Sequence, residues 1–325
     1  MDLLSDLFRQ AGLRRKLLDL RRLSDATALR FPCDKSIGLH LLVQGEVFIH
    51  ADGLPAPLRL QAGDIAVMAR GCCHVLSTQP VLDGIAVEPI GTGDGPQDGA
   101  SSPAGAGTAA VISGAYQLWN TPVHPFFSQM PGWFVIRAET LSRFSALALA
   151  AGLLVEESQQ RELGAESVLH GLLDVVFVHL LRRMVEDTGA AGAGWSHAVR
   201  DAQVRAALAL MHGDCAHPWS LETLAQRAGL SRTALAERFR EAMGDTPLNY
   251  LRTLRMQRAM SLLSETDATL EQVARQVGYQ DAFGFSKVFK RTVGESPREF
   301  RRRDAAERSH PWRFQAGAQA GLQAG

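Results

Sequence analysis

GYQDAFGFSKVFKRTVGESPREFRR, residues 278–302, repeats the pattern of GLSRTALAERFREAMGDTPLNYLRT, residues 229–253, and that duplication decides the fold of the C-terminal third. Just upstream, Leu221, Leu224, Ala225, Ala228 and Gly229 recur at an offset of 49 as Leu270, Val273, Ala274, Val277 and Gly278. One extra residue in the second turn makes the offset 50. Leu235, Phe239, Gly244, Pro247 and Tyr250 then recur as Phe285, Phe289, Gly294, Pro297 and Phe300. Chance rarely matches so many apolar, glycine and proline positions.

Each copy reads as three short helices whose middle pair is a helix-turn-helix. Leu221, Leu224, Ala225 and Ala228 follow the i, i+3, i+4, i+7 rhythm of one buried face, and Gly229 supplies the left-handed backbone that ends the helix. Ser231 is placed as N-cap of the next helix, whose Leu235 and Phe239 stack one turn apart. In the second copy Asp281 caps, Phe285 and Phe289 form the inner stripe, and Gly294 with Pro297 closes the unit. Gly284 interrupts that second helix at about 1 kcal/mol against Ala, which predicts a looser probe.

The major groove is wide enough for one helix and displays a distinct edge for each base pair. The outward residues of the second helices are therefore the candidate readers. Glu237 suits a cytosine amino group, Thr233, Ala236 and Phe283 suit thymine methyls, and Ser286 and Lys287 suit polar base edges. Arg232, Arg240, Lys290 and Arg291 suit phosphates, which position a protein without reading sequence.

On these residues the chain resembles the AraC/XylS family of transcription regulators over roughly residues 197–303. The resemblance implies two helix-turn-helix units joined by a long helix, here about Pro247 to Leu263. It also implies promoter DNA and RNA polymerase as partners, with activation the commoner outcome.

Charge is divided to match. The chain balances 34 basic against 34 acidic residues, yet residues 200–325 hold 19 Lys and Arg against 14 Asp and Glu. The basic excess lies where phosphates would be met. No run of eighteen apolar residues and no signal-peptide pattern is present, so we expect a cytoplasmic protein with no membrane partner. The cysteines at 33, 72, 73 and 215 form neither a disulfide framework nor a zinc spacing, which fits a reducing compartment.

The first ninety residues read as short strands broken by Gly or Pro: Leu39 to Val43, Glu46 to His50, Leu58 to Leu60, Ile65 to Met68 and His74 to Leu76. That spacing suggests a small barrel or sandwich. Gly63-Asp64, Gly71 and His74 resemble the second half of a cupin motif, with Ala69 where Pro is usual and Thr78 where Asn is frequent. The first half's His-X-His is missing, and His40 alone stands in the corresponding strand. Two imidazoles fall short of the three or four ligands a divalent metal takes from protein, so neither a metal nor another cofactor is expected.

A cupin-like domain joined to an AraC-type domain implies an effector sensor that governs DNA binding. His40, Met68 and His74 are candidates for lining an apolar effector pocket. Cys72 and Cys73 precede His74, which lowers a thiol's pKa if the imidazole is charged and near, with Cys33 a third partner if the fold brings it close. The effector is then a small molecule or an oxidant.

Gly91 to Ala110 is too poor in large apolar side chains to build a core and reads as flexible. Tyr116 to Ile136 gathers Trp119, Phe126, Phe127, Trp133 and Phe134, read as a lid on the barrel. Two helices are expected at about Leu141 to Arg161 and Glu166 to Glu186, the second with an apolar stripe suited to the barrel or a partner subunit.

The expected organisation is an α+β multidomain chain. A cupin-like β-barrel with flanking helices spans 1–188, a linker 189–196, an all-α domain with two helix-turn-helix units 197–303, and a disordered tail 304–325. The function expected is that of a homodimeric, effector-responsive activator. No nucleophile elbow, phosphate loop or paired catalytic carboxylates argue for an enzyme.

Overall fold

The computed structural model describes residues 13–33, 36–90, 108–118, 125–128, 130–160, 162–188, 198 and 200–308. Most of the expected flexible segment, the linker at 189–196, Trp119 and residues 309–325 lie outside the described residues. The chain separates into two compact units, one of sheet and helix drawn from Arg15–Gln117 and Pro131–Met184, and a mainly helical one drawn from Val185–His310 that also takes in Leu118–Met130 and the first residues of the first strand.

Among the described residues ten strands build the first unit: β1 (Leu13–Leu23), β2 (Thr27–Cys33), β3 (Ser36–Gln44), β4 (Glu46–Ala51), β5 (Leu58–Gln61), β6 (Ile65–Met68), β7 (Cys72–Ser77), β8 (Ala86–Pro89), β9 (Ala109–Leu118) and β10 (Trp133–Ile136). They form two five-stranded sheets, β1-β9-β3-β6-β10 and β5-β4-β7-β2-β8, an open arrangement compatible with a cupin fold. The inner cluster joins Leu42, Ala66, Met68 and Val111 of the first sheet to Phe31, Val47, Ile49, Leu60 and Leu76 of the second.

Two helices follow, α1 (Ala146–Gln160) and α2 (Ala165–Thr188). β3 is buried at seven consecutive residues, Ser36 to Leu42, instead of alternating, the mark of a strand covered on both faces. Its neighbour β9 shows what covers the outer face. Tyr116 donates to Asp174 Oδ1 at 2.6 Å and packs on Phe177, and a Cβ on Gly114 would stand 2.6 Å from the end of Leu173. All three partners belong to α2.

The turn from β3 to β4 needs glycine twice over. Gly45 has φ 81°, and a Cβ there would overlap the Thr108 carbonyl. Asp64 of the cupin-like Gly-Asp pair is a fastener. Its carboxylate accepts from Gln61 N at 3.0 Å, Ala138 N at 2.9 Å and Arg137 Nη1 at 2.7 Å. Burial pushes this carboxyl up, but the two backbone donors and the guanidinium outweigh burial and hold it below its ordinary range.

Three sequence expectations change. Trp133 and Phe134 belong to strand β10, paired to β6, and so are not a lid. Ala109 and Ala110 open β9, so the segment expected to be flexible stops short of them. The final helix runs to Arg308 with Asp304 buried, so the tail does not begin at 304. Strands β1, β2, β8, β9 and β10 had escaped the sequence reading.

The second unit holds α3 (Ala202–Gly213), α4 (Leu221–Arg227), α5 (Arg232–Met243), α6 (Pro247–Glu265), α7 (Leu270–Gln276), α8 (Ala282–Val293) and α9 (Pro297–Arg308). The duplication is visible in its caps. Ser220 with Thr223 and Thr269 with Gln272 form capping boxes at α4 and α7. The joining helix α6 serves both copies. Tyr250 accepts or donates a 2.8 Å hydrogen bond with His212 and packs on Phe239 of the first. Met256, Ala259, Met260 and Leu263 enter the second copy's core with Phe285, Phe289 and Phe300.

Candidate nucleic-acid interface and a buried histidine pair

The two reading helices are built alike. Ser231 Oγ accepts from Ala234 N at 3.2 Å to start α5, and Asp281 Oδ1 accepts from Gly284 N at 2.7 Å to start α8. Each ends on a left-handed glycine, Gly244 at φ 66° and Gly294 at φ 94°. Leu235 and Phe239 of α5, and Phe285 and Phe289 of α8, are wholly buried.

Fixing those inner faces decides what is left outside. Arg232, Thr233, Glu237 and Arg240 are exposed on α5, with Ala236 half-buried beside them. Phe283, Lys287, Lys290 and Arg291 are exposed on α8, with Ser286 half-buried. Phe283 is 83% exposed, and a large aromatic ring in water is more informative than any exposed charge. Arg238 is engaged elsewhere: it donates to Gln203 Oε1 at 3.2 Å and pairs with Asp201 at 3.6 Å.

In the first unit the structure brings His40 and His74 together. His40 stands on β3 and His74 on β7, so the pair bridges the two sheets, Nε2 to Nε2 at 2.7 Å. The proton positions follow from the outer partners. His74 Nδ1 lies 3.0 Å from the Cys72 carbonyl, which can only accept, so Nδ1 carries the hydrogen and Nε2 accepts. His40 Nε2 must then donate, which leaves His40 Nδ1 to accept from the Ser113 hydroxyl at 2.8 Å.

Every imidazole nitrogen is satisfied with both rings neutral. Burial holds them so: it drives His40 well below its ordinary value, helped by the repulsion that protonating both rings would bring, and lowers His74 to about 4. Phe31 stacks on His74 at 5.1 Å, and Trp133 meets the same ring edge-on at 5.0 Å. Among the described residues no third His, Cys, Asp or Glu joins them in a metal-binding group.

The other sensor candidates divide. Met68 is buried in the inter-sheet core with Phe31. Cys72 is half-buried against that core, whereas Cys73, its strand neighbour, is exposed. The lowered thiol pKa expected from a charged neighbouring imidazole is not found at Cys72. Burial pushes that thiol up, His74 is neutral, and His74 meets the Cys72 carbonyl. Cys33 stands directly across the ladder from Cys72. Sequence reasoning missed Ser113, Phe31 and Trp133. Only strand register reveals the first two, which pair with His40 and His74.

Comparison with known proteins agrees with this division. Residues 2–186 match the family described as Cupin, and residues 224–303 match a helix-turn-helix domain. An AraC-like transcription regulator of Streptomyces lividans is 27% identical over 279 residues, 85% of this chain and 90% of that protein. The transcriptional activator RhaR of Klebsiella pneumoniae is 36% identical over 107 residues, 33% of this chain and 38% of that protein. The solved DNA-binding domain of AdpA in complex with a target DNA is 31% identical, with TM-score 0.32, covering 34% of this chain and 98% of that one. The chain belongs to the AraC family of DNA-binding transcription regulators, in the branch whose N-terminal half is a cupin domain.

Proposed function

We propose that the chain reads one promoter with two helices at once, α5 and α8 entering successive major-groove segments of the same duplex. The observation that carries this is the matched exposure of the two helices, each capped at both ends and pinned by two buried side chains. Thr233, Ala236, Glu237, Phe283, Ser286 and Lys287 meet base edges; Arg232, Arg240, Lys290 and Arg291 meet phosphates. At about 28 Å, the nineteen residues of α6 have a length comparable to one turn of DNA. Residues 197–308 form the DNA-binding half.

The cupin half is proposed as the sensor. A small molecule or oxidant acting at His40, Met68, Cys72, Cys73 or His74 perturbs the polar bridge between the two inner sheet faces, and a shift between sheets is a change other surfaces can sense. Leu149 and Leu153 of α1, and Val168 and Val175 of α2, are apolar yet exposed, which supports self-association as a homodimer. No helix among the described residues is long and apolar enough to cross a membrane. We place the protein in the cytoplasm, without catalytic activity, recruiting RNA polymerase as an activator.

Selecting duplexes from random sequence with the full-length chain tests the proposal. A two-part consensus supports it. Recovery of unenriched sequence at moderate ionic strength contradicts it.

A further inference from the structure

We infer that Arg255, with Tyr279 and Gly278, is a positioning clamp that fixes the second reading helix relative to the first copy. The inference rests on the two-helix reading above and concerns what sets the register between the probes.

Arg255 stands in the middle of α6, between the two copies in sequence. Its Nε donates to the Cys215 carbonyl at 2.7 Å and its Nη2 to the His217 carbonyl at 2.9 Å. Both carbonyls lie in the loop between α3 and α4, so the guanidinium grips the first copy just ahead of its helix-turn-helix. A planar fork with several fixed donors holds two carbonyls at once, which an ammonium does poorly. The guanidinium carbon also lies 5.8 Å from the centre of the Tyr279 ring. Tyr279 belongs to the second copy's turn, and its ring centre is 5.8 Å from that of Phe285, on the inner face of α8. A continuous line of contacts therefore runs from the first copy's loop through Arg255 and Tyr279 to the second probe.

The backbone makes the same junction. A Cβ on Gly278 would lie 2.5 Å from the Ala216 carbonyl oxygen and 2.8 Å from Arg255 Nη2, so the second turn is seated directly on the first copy's loop. The duplication supplies an internal control. At the matching place in the first copy, Gly229 adopts the same left-handed backbone with nothing within 4 Å of a Cβ, and Leu230 stands where Tyr279 does. The two turns share a fold, but only the second carries these contacts, which lie where the copies must be held in phase.

Successive groove segments are read together only if the probes are held at the right distance and rotation, since tethered modules gain from each other only when geometry permits both to engage. Loosening the clamp should therefore reduce joint binding more than single-segment binding. The test uses the full-length chain, as wild type, Arg255→Met and Tyr279→Leu, the latter giving the second turn the residue the first already has. Each is titrated with three duplexes: a selected two-segment duplex, that duplex with the α8 segment scrambled, and one with a base pair inserted between segments.

For both variants we expect about tenfold weaker binding to the intact duplex, under twofold change on the scrambled one, and a narrowed penalty for the inserted base pair. Thermal melts report whether a variant is folded. Equal losses on intact and scrambled duplexes, or an unchanged insertion penalty in a folded variant, overturn the clamp alone. Wild-type protein that binds intact and scrambled duplexes equally overturns the two-helix reading, and the clamp with it.

Discussion

His40 on one sheet and His74 on the other meet Nε2 to Nε2 at 2.7 Å, His40 donating and His74 accepting, with Ser113 and the Cys72 carbonyl closing the chain at its two ends. Two neutral imidazoles, a hydroxyl and a carbonyl make a polar bridge between two sheets that also meet through aliphatic and aromatic contacts. A proton added to the pair leaves no arrangement in which every partner stays as it is.

That relationship predicts acid sensitivity. The folded pKa of His74 is depressed to about 4, so the unfolded chain takes the proton more readily. Stability is complete above about pH 6.5 and falls as pH drops towards 4, with His74 alone worth on the order of 3 kcal/mol at the lower end. Urea midpoints at pH 7.5 and pH 5 check this. Replacing both histidines by Leu should flatten the dependence over this window, and an undiminished slope in that variant would refute the assignment.

Gly229 and Gly278 should respond differently to the same methyl. Gly229→Ala incurs only left-handed backbone strain, about 1–2 kcal/mol. Gly278→Ala adds a forced displacement of the Ala216 carbonyl or of the Arg255 fork, so it should cost clearly more. Denaturant titration of the two variants compares them directly. Equal losses would mean the second turn is not seated on the loop.

Gly284 is the third residue of α8, in its first turn, so Gly284→Ala should stabilise the helix by at most the ~1 kcal/mol of an interior position. A Cβ there would stand 3.4 Å from Asp281 Oδ2, an ordinary contact, so only helix propensity is at stake. A higher melting temperature with unchanged affinity is expected. A large fall in DNA affinity would show that the helix needs the glycine for close approach to the duplex.

Lys287→Ala and Arg240→Ala separate reading from positioning. Loss of Lys287 should relax preference at one base position by about 1–3 kcal/mol, whereas loss of Arg240 should weaken every sequence alike and lower the salt slope by about one. Affinities on a set of single-base variants at two salt concentrations distinguish them. Equal effects across all sequences from both would remove the assignment of readers.

The helical half was legible because its rules are local. Caps at Ser231 and Asp281, left-handed glycines at 229, 244, 278 and 294, and buried positions four residues apart all fall within short windows, and a second copy confirms each choice. The sheet half was half legible. Strands β3 to β7 announce themselves as short runs broken by Gly or Pro, but β9, reached after a long segment poor in large side chains, offers Ala, Gly and Ser where strands usually carry bulk. Gly114 is small because Leu173 crosses there, and Ser113 is polar because His40 faces it, and neither reason exists in one dimension. The clamp was illegible for a similar reason: Arg255 resembles every other Arg on α6 until the loop at 215–217 is folded beneath it.

The central claim is tested most directly by hydroxyl-radical footprinting of the full-length chain on a selected duplex. Two readers held by α6 predict two protected patches on one face of the DNA, centred about 10 base pairs apart. A single patch, or two whose separation drifts from one sequence to another, would contradict it.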